Sequence, residues 1–190
     1  MLIKPNDIED IEIPKMQINK KDILILSREH NISQREILLL LADILGENYS
    51  TLFFKEIIKL TEHEFKVFSE GMKRLIQNEP ISKIIQKREF YGIEFKTNIN
   101  TLDPRPETEL IVDLFQKYFA DYSAILNILD LGTGTGCLGL SVIKLYKNAT
   151  AKLTDISEKA INVAVENSKL LGLFDRCNFI KSNWFQELNG

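Results

Sequence analysis

The feature that most constrains this chain is a short apolar strand that runs directly into a glycine-rich turn and then into a helix. Residues 125–129 form a nearly continuous apolar run, which is typical of a central parallel strand covered on both faces. Gly132, Gly134 and Gly136 follow at alternating positions. Glycine allows a tight turn and lets backbone N–H groups approach a ligand, because it has no Cβ. This order of elements predicts a nucleotide-type binding site.

Two binding fingerprints overlap in this turn. Gly132-x-Gly134-x-Gly136 has the spacing typical of S-adenosylmethionine binding, whereas Gly134-x-Gly136-x-x-Gly139 matches the dinucleotide pattern. Asp130, at the end of the strand, favours the methyl donor. Its carboxylate would repel a pyrophosphate but suits a ligand that carries an ammonium and a sulfonium group. A tight strand-to-helix turn without a ligand is the plain alternative.

Composition and charge limit the classes of protein to which this chain can belong. The 190 residues are 44% hydrophobic and 27% charged with a net charge of −3, which gives no reason to expect non-specific nucleic-acid binding. Cys137 and Cys177 are too few for a disulfide framework, and no spaced His/Cys set predicts a metal site. The acidic N-terminal residues do not fit a signal peptide, and no apolar run is long enough to span a bilayer. We therefore expect a cytosolic protein.

The first 88 residues carry helical patterns. Capping-box sequences at 33–36 and 61–64 each precede an apolar-periodic stretch, and Gly46 ends the first of these helices. The apolar residues between 52 and 60 suggest another short helix. These patterns predict an all-helical bundle over residues 1–88.

The pattern then changes to strands. Residues 90–99 alternate around Gly92 and predict a β-hairpin, and we assign 89–104 to a hairpin linker. Pro104 and Pro106 exclude a helix until Glu107. From 105 to 190, strands alternate with helices, which predicts an α/β domain. The expected fold class is thus α/β, with an N-terminal helical bundle followed by the first half of a Rossmann-like domain.

The candidate ligand-binding residues lie where the predicted strands end, as expected for an open parallel sheet. Asp155 ends the second strand, and its carboxylate can accept two hydrogen bonds from ribose hydroxyls; capping the next helix near Ser157 is the alternative. Asn183 and Trp184 follow the third strand and can reach an adenine, with core packing as the alternative for Trp184. The full set of candidate cofactor-binding residues is Gly132, Thr133, Gly134, Thr135, Gly136, Asp155, Asn183 and Trp184.

Four segments, in this order behind a helical region, resemble the release factor glutamine methyltransferases (the PrmC/HemK family). They are Phe90-Tyr91-Gly92, Asp103-Pro104-Arg105-Pro106-Glu107-Thr108-Glu109-Leu110, Asp130-Leu131-Gly132-Thr133-Gly134-Thr135-Gly136-Cys137 and Asn183-Trp184-Phe185. The resemblance covers essentially the whole chain. It implies a helical domain that binds release factors, a hairpin linker and a seven-stranded class I domain that uses S-adenosyl-L-methionine. The implied reaction is methylation of the side-chain amide nitrogen of the glutamine in the Gly-Gly-Gln motif of peptide-chain release factors.

The resemblance also implies roles for particular residues. The positions that match residues 132–136, Asp155 and Trp184 contact the cofactor in the family. The segment that matches residues 105–109 lies near the active site, and on this basis we place Arg105, Pro106, Thr108 and Glu109 there.

The sequence departs from the family pattern at three points. Asp103 stands where an apolar residue is usual, and Asn183 stands where an aspartate is usual. The Asn-Pro-Pro-Tyr motif that holds the substrate glutamine is absent, and only three of the seven strands are predicted. We therefore expect the N-terminal part of a family member, without catalytic residues and without methyl-transfer activity of its own.

Two other functions stay open. One is a non-catalytic module that binds a release factor or the cofactor. The other is a methyltransferase for a different planar nitrogen, such as a nucleobase amine, because Asn-Pro-Pro-Tyr enzymes share this chemistry. No basic stripe points to nucleic acid. The expected partners are release factors, with neither a membrane nor direct nucleic-acid binding.

Overall fold

A computed structural model describes residues 16–188. The chain divides into two compact units, Met1–Ile85 and Gln86–Gly190. The first unit is mainly helical, and the second contains a parallel three-stranded sheet flanked by helices, so the predicted α/β fold class is confirmed. None of the described helices is both long and apolar enough to cross a bilayer.

The described part of the first unit holds five helices and a small antiparallel ribbon. Its elements are β1 (Gln17–Asn19), α1 (Lys20–His30), α2 (Gln34–Leu45), α3 (Tyr49–Phe54), β2 (Ile57–Lys59), α4 (Glu62–Ile76) and α5 (Ile81–Ile85). Both predicted capping boxes are present. Ser33 and Thr61 accept the backbone N–H groups of Glu36 and Glu64, whose carboxylates accept N–H groups in return.

The ribbon is the element that the sequence did not indicate. The apolar residues between 52 and 60 do not form one helix, because α3 ends at Phe54 and β2 begins at Ile57. Ile18 in β1 lies opposite Ile58 in β2, and both side chains are buried in the helical core. A three-residue strand is too short for its alternation to be distinguished from a helical turn.

The second unit is built around the parallel sheet. Its elements are β3 (Lys87–Phe90), β4 (Ile93–Lys96), α6 (Glu109–Tyr118), β5 (Asn127–Leu131), α7 (Cys137–Leu145), β6 (Thr150–Asp155), α8 (Glu158–Leu170) and β7 (Cys177–Lys181). The strand order is β5-β6-β7, with α7 and α8 as the crossover helices. This arrangement brings the carboxyl ends of all three strands to one edge of the sheet.

The hairpin, predicted as a linker over 89–104, is part of the core of this second unit. It spans Lys87 to Lys96, and its two-residue turn is Tyr91-Gly92. Both turn residues have positive φ, 52° and 66°, as a type I′ turn requires. Phe90 and Phe95 are buried with residues of α6, α7 and β6. The hairpin therefore belongs to the structure that supports the sheet.

Helix α7 lies very close to the strands at Gly139. A Cβ at this position would lie 2.5 Å from Leu153 Cδ2 and 3.1 Å from Asp130 Oδ2. Two residues further along α7, the buried Ser141 hydroxyl has no hydrogen-bond partner among the described residues. The glycine is thus required by packing, whereas the hydroxyl carries an uncompensated desolvation cost.

We expect Gly139→Ala to destabilise the protein by about 1–3 kcal/mol, because the added methyl group overpacks the contact between α7 and β6. Ser141→Ala, a matched change on the same helix, should be neutral or stabilising by up to about 1 kcal/mol. Urea unfolding of the two variants measures both effects. A Gly139→Ala variant as stable as the wild type would show that α7 can move away from the sheet without cost.

Candidate cofactor site

The backbone conformation of the turn requires glycine at three positions. Gly132, Gly134 and Gly136 have φ values of 74°, 56° and 82°, a region that side chains with a Cβ rarely adopt. The N–H groups of Gly132 and Thr133 both donate to Thr154 O, at 2.9 and 2.8 Å, which ties the turn to the end of β6. The alternating glycine spacing therefore follows from three left-handed residues in one turn.

Asp130 holds the turn from inside the protein. Its side chain is buried, and Oδ2 accepts hydrogen bonds from Thr133 Oγ1 at 2.8 Å and from Gly139 N at 3.1 Å. Burial raises the pKa of this carboxyl. We expected the carboxylate to face the positive groups of a ligand. The structure instead directs it to the turn and to the start of α7, so its contacts are structural.

Asp155 joins the same turn to the end of β6. Its Oδ2 accepts a hydrogen bond from Gly134 N at 3.0 Å, and its Oδ1 accepts one from Ser157 N at 2.9 Å. The N-cap of α8 is Ser157, whose hydroxyl accepts from Ala160 N. Asp155 is therefore not the helix cap. Each carboxylate oxygen keeps a second lone pair that can accept a hydroxyl group.

A cavity of about 180 Å³ lies at this carboxyl edge of the sheet. Gly132, Asp155, Asn183 and Trp184 are among the residues that line it. Trp184 is 68% exposed, so it lies outside the core that the described residues form. The structure thus brings together one glycine of the turn, the candidate ribose acceptor and the two candidate adenine contacts.

The other candidate residues lie outside the lining of this cavity. Thr133 and Thr135 are buried, so their side chains turn into the protein. A larger cavity, of about 720 Å³, lies over the amino-terminal halves of the three strands, where residues such as Asn127, Thr150 and Cys177 line it. Ligands of open parallel sheets bind at the carboxyl ends of the strands, so we take the smaller cavity as the candidate site.

The segment 105–109 serves partly as an anchor. Glu109 Oε1 accepts a hydrogen bond from Tyr91 N at 2.9 Å, which fixes the tip of the hairpin to α6. The Tyr91 hydroxyl donates to Asp113 at 2.8 Å, and this hydrogen bond raises the pKa of Tyr91. Arg105 is exposed and has no hydrogen bond or ion pair from its side chain among residues 16–188. Arg105, Pro106, Thr108 and Glu109 are not among the residues that line the cavity.

Sequence analysis missed Asn167, which supports the glycine turn from α8. Its side chain is 1% exposed. Oδ1 accepts a hydrogen bond from Lys96 N at 2.7 Å, and Nδ2 donates to Lys96 O at 3.0 Å and to Thr135 O at 2.8 Å. The sequence does contain a signal for this residue, because Asn167 is a polar residue on the apolar face of α8, among residues such as Ala160, Val163 and Ala164. A buried amide on such a face requires partners.

The raised pKa of Asp130 predicts that the difference in stability between wild type and Asp130→Asn depends on pH. Because the folded-state pKa lies above the unfolded-state value, protonation favours folding. This contribution is fully present below the unfolded-state pKa and is lost as pH rises through the folded-state pKa. We therefore expect wild type to lose stability relative to Asp130→Asn as pH rises from the acidic range to neutrality. Urea unfolding over a pH series measures the difference, with Asp175→Asn as an exposed control. A difference that grows in favour of wild type with rising pH would contradict the prediction.

Comparisons with known proteins agree with this geometry. A family model described as "Methyltransferase domain" matches residues 123–189, which include the glycine turn, Asp155 and Trp184. A release factor glutamine methyltransferase of Agrobacterium fabrum is 34% identical over 155 residues, covering 80% of this chain and 54% of that protein. A bifunctional methyltransferase of Rickettsia prowazekii is 35% identical over 176 residues, covering 84% of this chain and 34% of that protein.

A third relative is the release factor glutamine methyltransferase of Leptospira interrogans, which is 31% identical over 172 residues. The match covers 88% of this chain and 59% of that relative. The chain thus spans between about a third and three fifths of the length of these curated relatives. The resemblance inferred from the four sequence segments is confirmed: the chain is similar over most of its length to the release factor glutamine methyltransferases, and residues 123–189 match a methyltransferase-domain model.

Proposed function

We propose that this chain forms the S-adenosyl-L-methionine-binding part of a methyltransferase that modifies the glutamine of the Gly-Gly-Gln motif in peptide-chain release factors. One observation carries the proposal. The left-handed Gly132, the Asp155 carboxylate and the exposed Trp184 ring line a single cavity at the carboxyl edge of a parallel sheet. The names of the curated relatives support the choice of reaction and substrate.

The residues around the cavity fit the chemistry of the cofactor. An adenosine presents two ribose hydroxyls, and the Asp155 oxygens keep lone pairs that can accept them. The exposed Trp184 ring can stack on an adenine, and the Asn183 amide can hydrogen-bond its edge. Gly132, Gly134 and Gly136 let the backbone approach the rest of the ligand closely. When bound, the cofactor supplies a methyl group on a sulfonium, which is open to attack by a nucleophile.

The remaining roles in the proposal follow the family resemblance. In this scheme the first unit, up to Ile85, docks the release factor, and the second unit, which includes the hairpin, holds the cofactor. Arg105, Pro106, Thr108 and Glu109 lie near the reacting glutamine in this scheme. The exposed Arg105 guanidinium, which has no partner among the described residues, is available to a substrate. A cytoplasmic location suits a substrate that acts in translation.

A second candidate is a module that binds a release factor or the cofactor without catalysis. The Asn-Pro-Pro-Tyr motif, which would hold a planar amide, does not occur within these 190 residues. The two candidates share the cofactor site but differ in whether a protein that contains these residues turns over substrate.

We expect S-adenosylhomocysteine to bind at the carboxyl edge of the sheet and NAD not to bind. In ¹H–¹⁵N spectra, the added ligand should shift the amide signals of residues 132–136 and the indole signal of Trp184, the single tryptophan. Asp155→Asn replaces one acceptor oxygen with a donor and should weaken binding by about 1–3 kcal/mol. Asp175→Asn makes the same change at the amino end of β7 and should leave the affinity unchanged. Shifts that are absent at millimolar ligand would remove this cavity from the site, and equal affinities of the two variants would remove Asp155.

We expect the 190 residues alone not to methylate a release factor. Transfer to an amide nitrogen requires its lone pair to be aligned with the sulfonium carbon, and positioning supplies much of the rate. A radiolabelled-methyl assay with unmethylated release factor tests this, with the longer Agrobacterium fabrum relative as the positive control. Turnover above background by this chain would place the catalytic groups within residues 1–190 and would exclude the binding-module alternative.

A further inference from the structure

We propose that Asn167 is a positioning residue that couples the glycine turn to the segment 97–105. In this scheme, a ligand that binds the cofactor site also reduces the conformational freedom of residues 97–105. The inference rests on the proposed function for the cofactor site and adds to it a residue that no resemblance assigns. It starts from the hydrogen bonds of one buried amide.

The Asn167 side chain is fully committed to two other parts of the second unit. Both hydrogens of Nδ2 are used, one on Lys96 O at 3.0 Å and one on Thr135 O at 2.8 Å. Oδ1 accepts from Lys96 N at 2.7 Å. With 1% of the residue exposed, water cannot readily replace these bonds. One side chain therefore bridges the end of β4 and the glycine turn directly.

On one side, this amide contacts the glycine turn, one residue of which lines the proposed cofactor site. Thr135 lies between Gly134 and Gly136, both in the left-handed region. A ligand that draws the turn into a single conformation also fixes the Thr135 carbonyl. The Asn167 amide then has a fixed acceptor on this side, and Lys96 is held with it.

On the other side, the amide contacts the start of the segment 97–105. Lys96 is the last residue of β4, and Thr97 follows directly. The Thr97 hydroxyl lies 3.1 Å from the Thr101 hydroxyl and donates to Asp103 Oδ1 at 3.1 Å. Asp103 is two residues before Arg105. A change at Lys96 thus reaches the neighbourhood of Arg105 through the Lys96–Thr97 peptide bond and the hydrogen bonds of the Thr97 hydroxyl.

The far end of this stretch is anchored independently. Glu109 accepts from Tyr91 N at the hairpin tip, and Asp113 accepts from the Tyr91 hydroxyl. The hairpin and residues 97–109 therefore form a closed ring, with one anchor at the hairpin tip and the other at Asn167. Of these two anchors, Asn167 is the one that also hydrogen-bonds to the glycine turn, so the proposed coupling runs through it.

The test is amide hydrogen exchange of the 190-residue chain with and without S-adenosylhomocysteine. In wild type, the ligand should slow exchange both at 132–136 and at 97–105. Asn167→Asp keeps the size of the side chain and the acceptor for Lys96 N but loses both donors. It should lose the slowing at 97–105 and retain a ligand response at 132–136. Asn162→Asp, an exposed change on the same helix, should behave as wild type.

Each outcome decides between a coupling role and a purely structural one. A structural role would change exchange in the absence of ligand but would leave the ligand response at 97–105 in place, and that result would overturn the inference. A wild-type response at 132–136 without one at 97–105 would also overturn it. No response at either segment would overturn the proposed function as well. If Asn167→Asp does not fold, Thr97→Val provides a second test. It removes the hydrogen bonds of the Thr97 hydroxyl to Thr101 and Asp103, so the ligand should no longer slow exchange at 101–105.

Discussion

The candidate site depends on the immobilisation of a turn that glycine makes intrinsically flexible. Three residues of the turn occupy left-handed conformations that only glycine adopts without strain, and glycine has the largest conformational entropy to lose on folding. Two carboxylates supply the constraint. Asp130 accepts from Thr133 and Gly139, and Asp155 accepts from Gly134. The buried position of Asp130 makes its hydrogen bonds strong but also raises its pKa, so the turn is held at an electrostatic cost.

The hairpin extends this constraint beyond the sheet. Its two buried phenylalanines place it in the core of the second unit, and its tip and its end are each anchored by a side chain from a different helix. The proline-containing segment after the hairpin is thereby held at both ends. A segment held in this way can present Arg105 with little loss of entropy on binding, which is the usual advantage of a preorganised contact.

Local patterns in the sequence predicted most of the fold, including the glycine turn at the end of a parallel strand. The capping boxes, the apolar strand and the alternating glycines each depend on neighbouring residues, so the sequence shows them directly. The direction of the Asp130 side chain and the partners of Asn167 depend on contacts between residues far apart in the chain. Asn167 bonds to Lys96, 71 positions away, and no local pattern identifies that partner. The ribbon of β1 and β2 was missed for the same reason, because pairing rather than propensity forms such short strands.

The structure separates residues that hold the site from residues that are left for a ligand. The side chains of Asp130, Glu109 and Asn167 form hydrogen bonds with other residues of the protein. Trp184 differs from these residues in its exposure, its hydrogen bonding and its backbone conformation. Its side chain is exposed, it makes no side-chain hydrogen bond among the described residues, and its backbone has a φ of 54°, which is unfavourable for a bulky residue. An exposed aromatic ring on a strained backbone contributes little to folding. Strain of this kind is often found at functional sites, and here it lies at the rim of the cavity that we propose as the cofactor site.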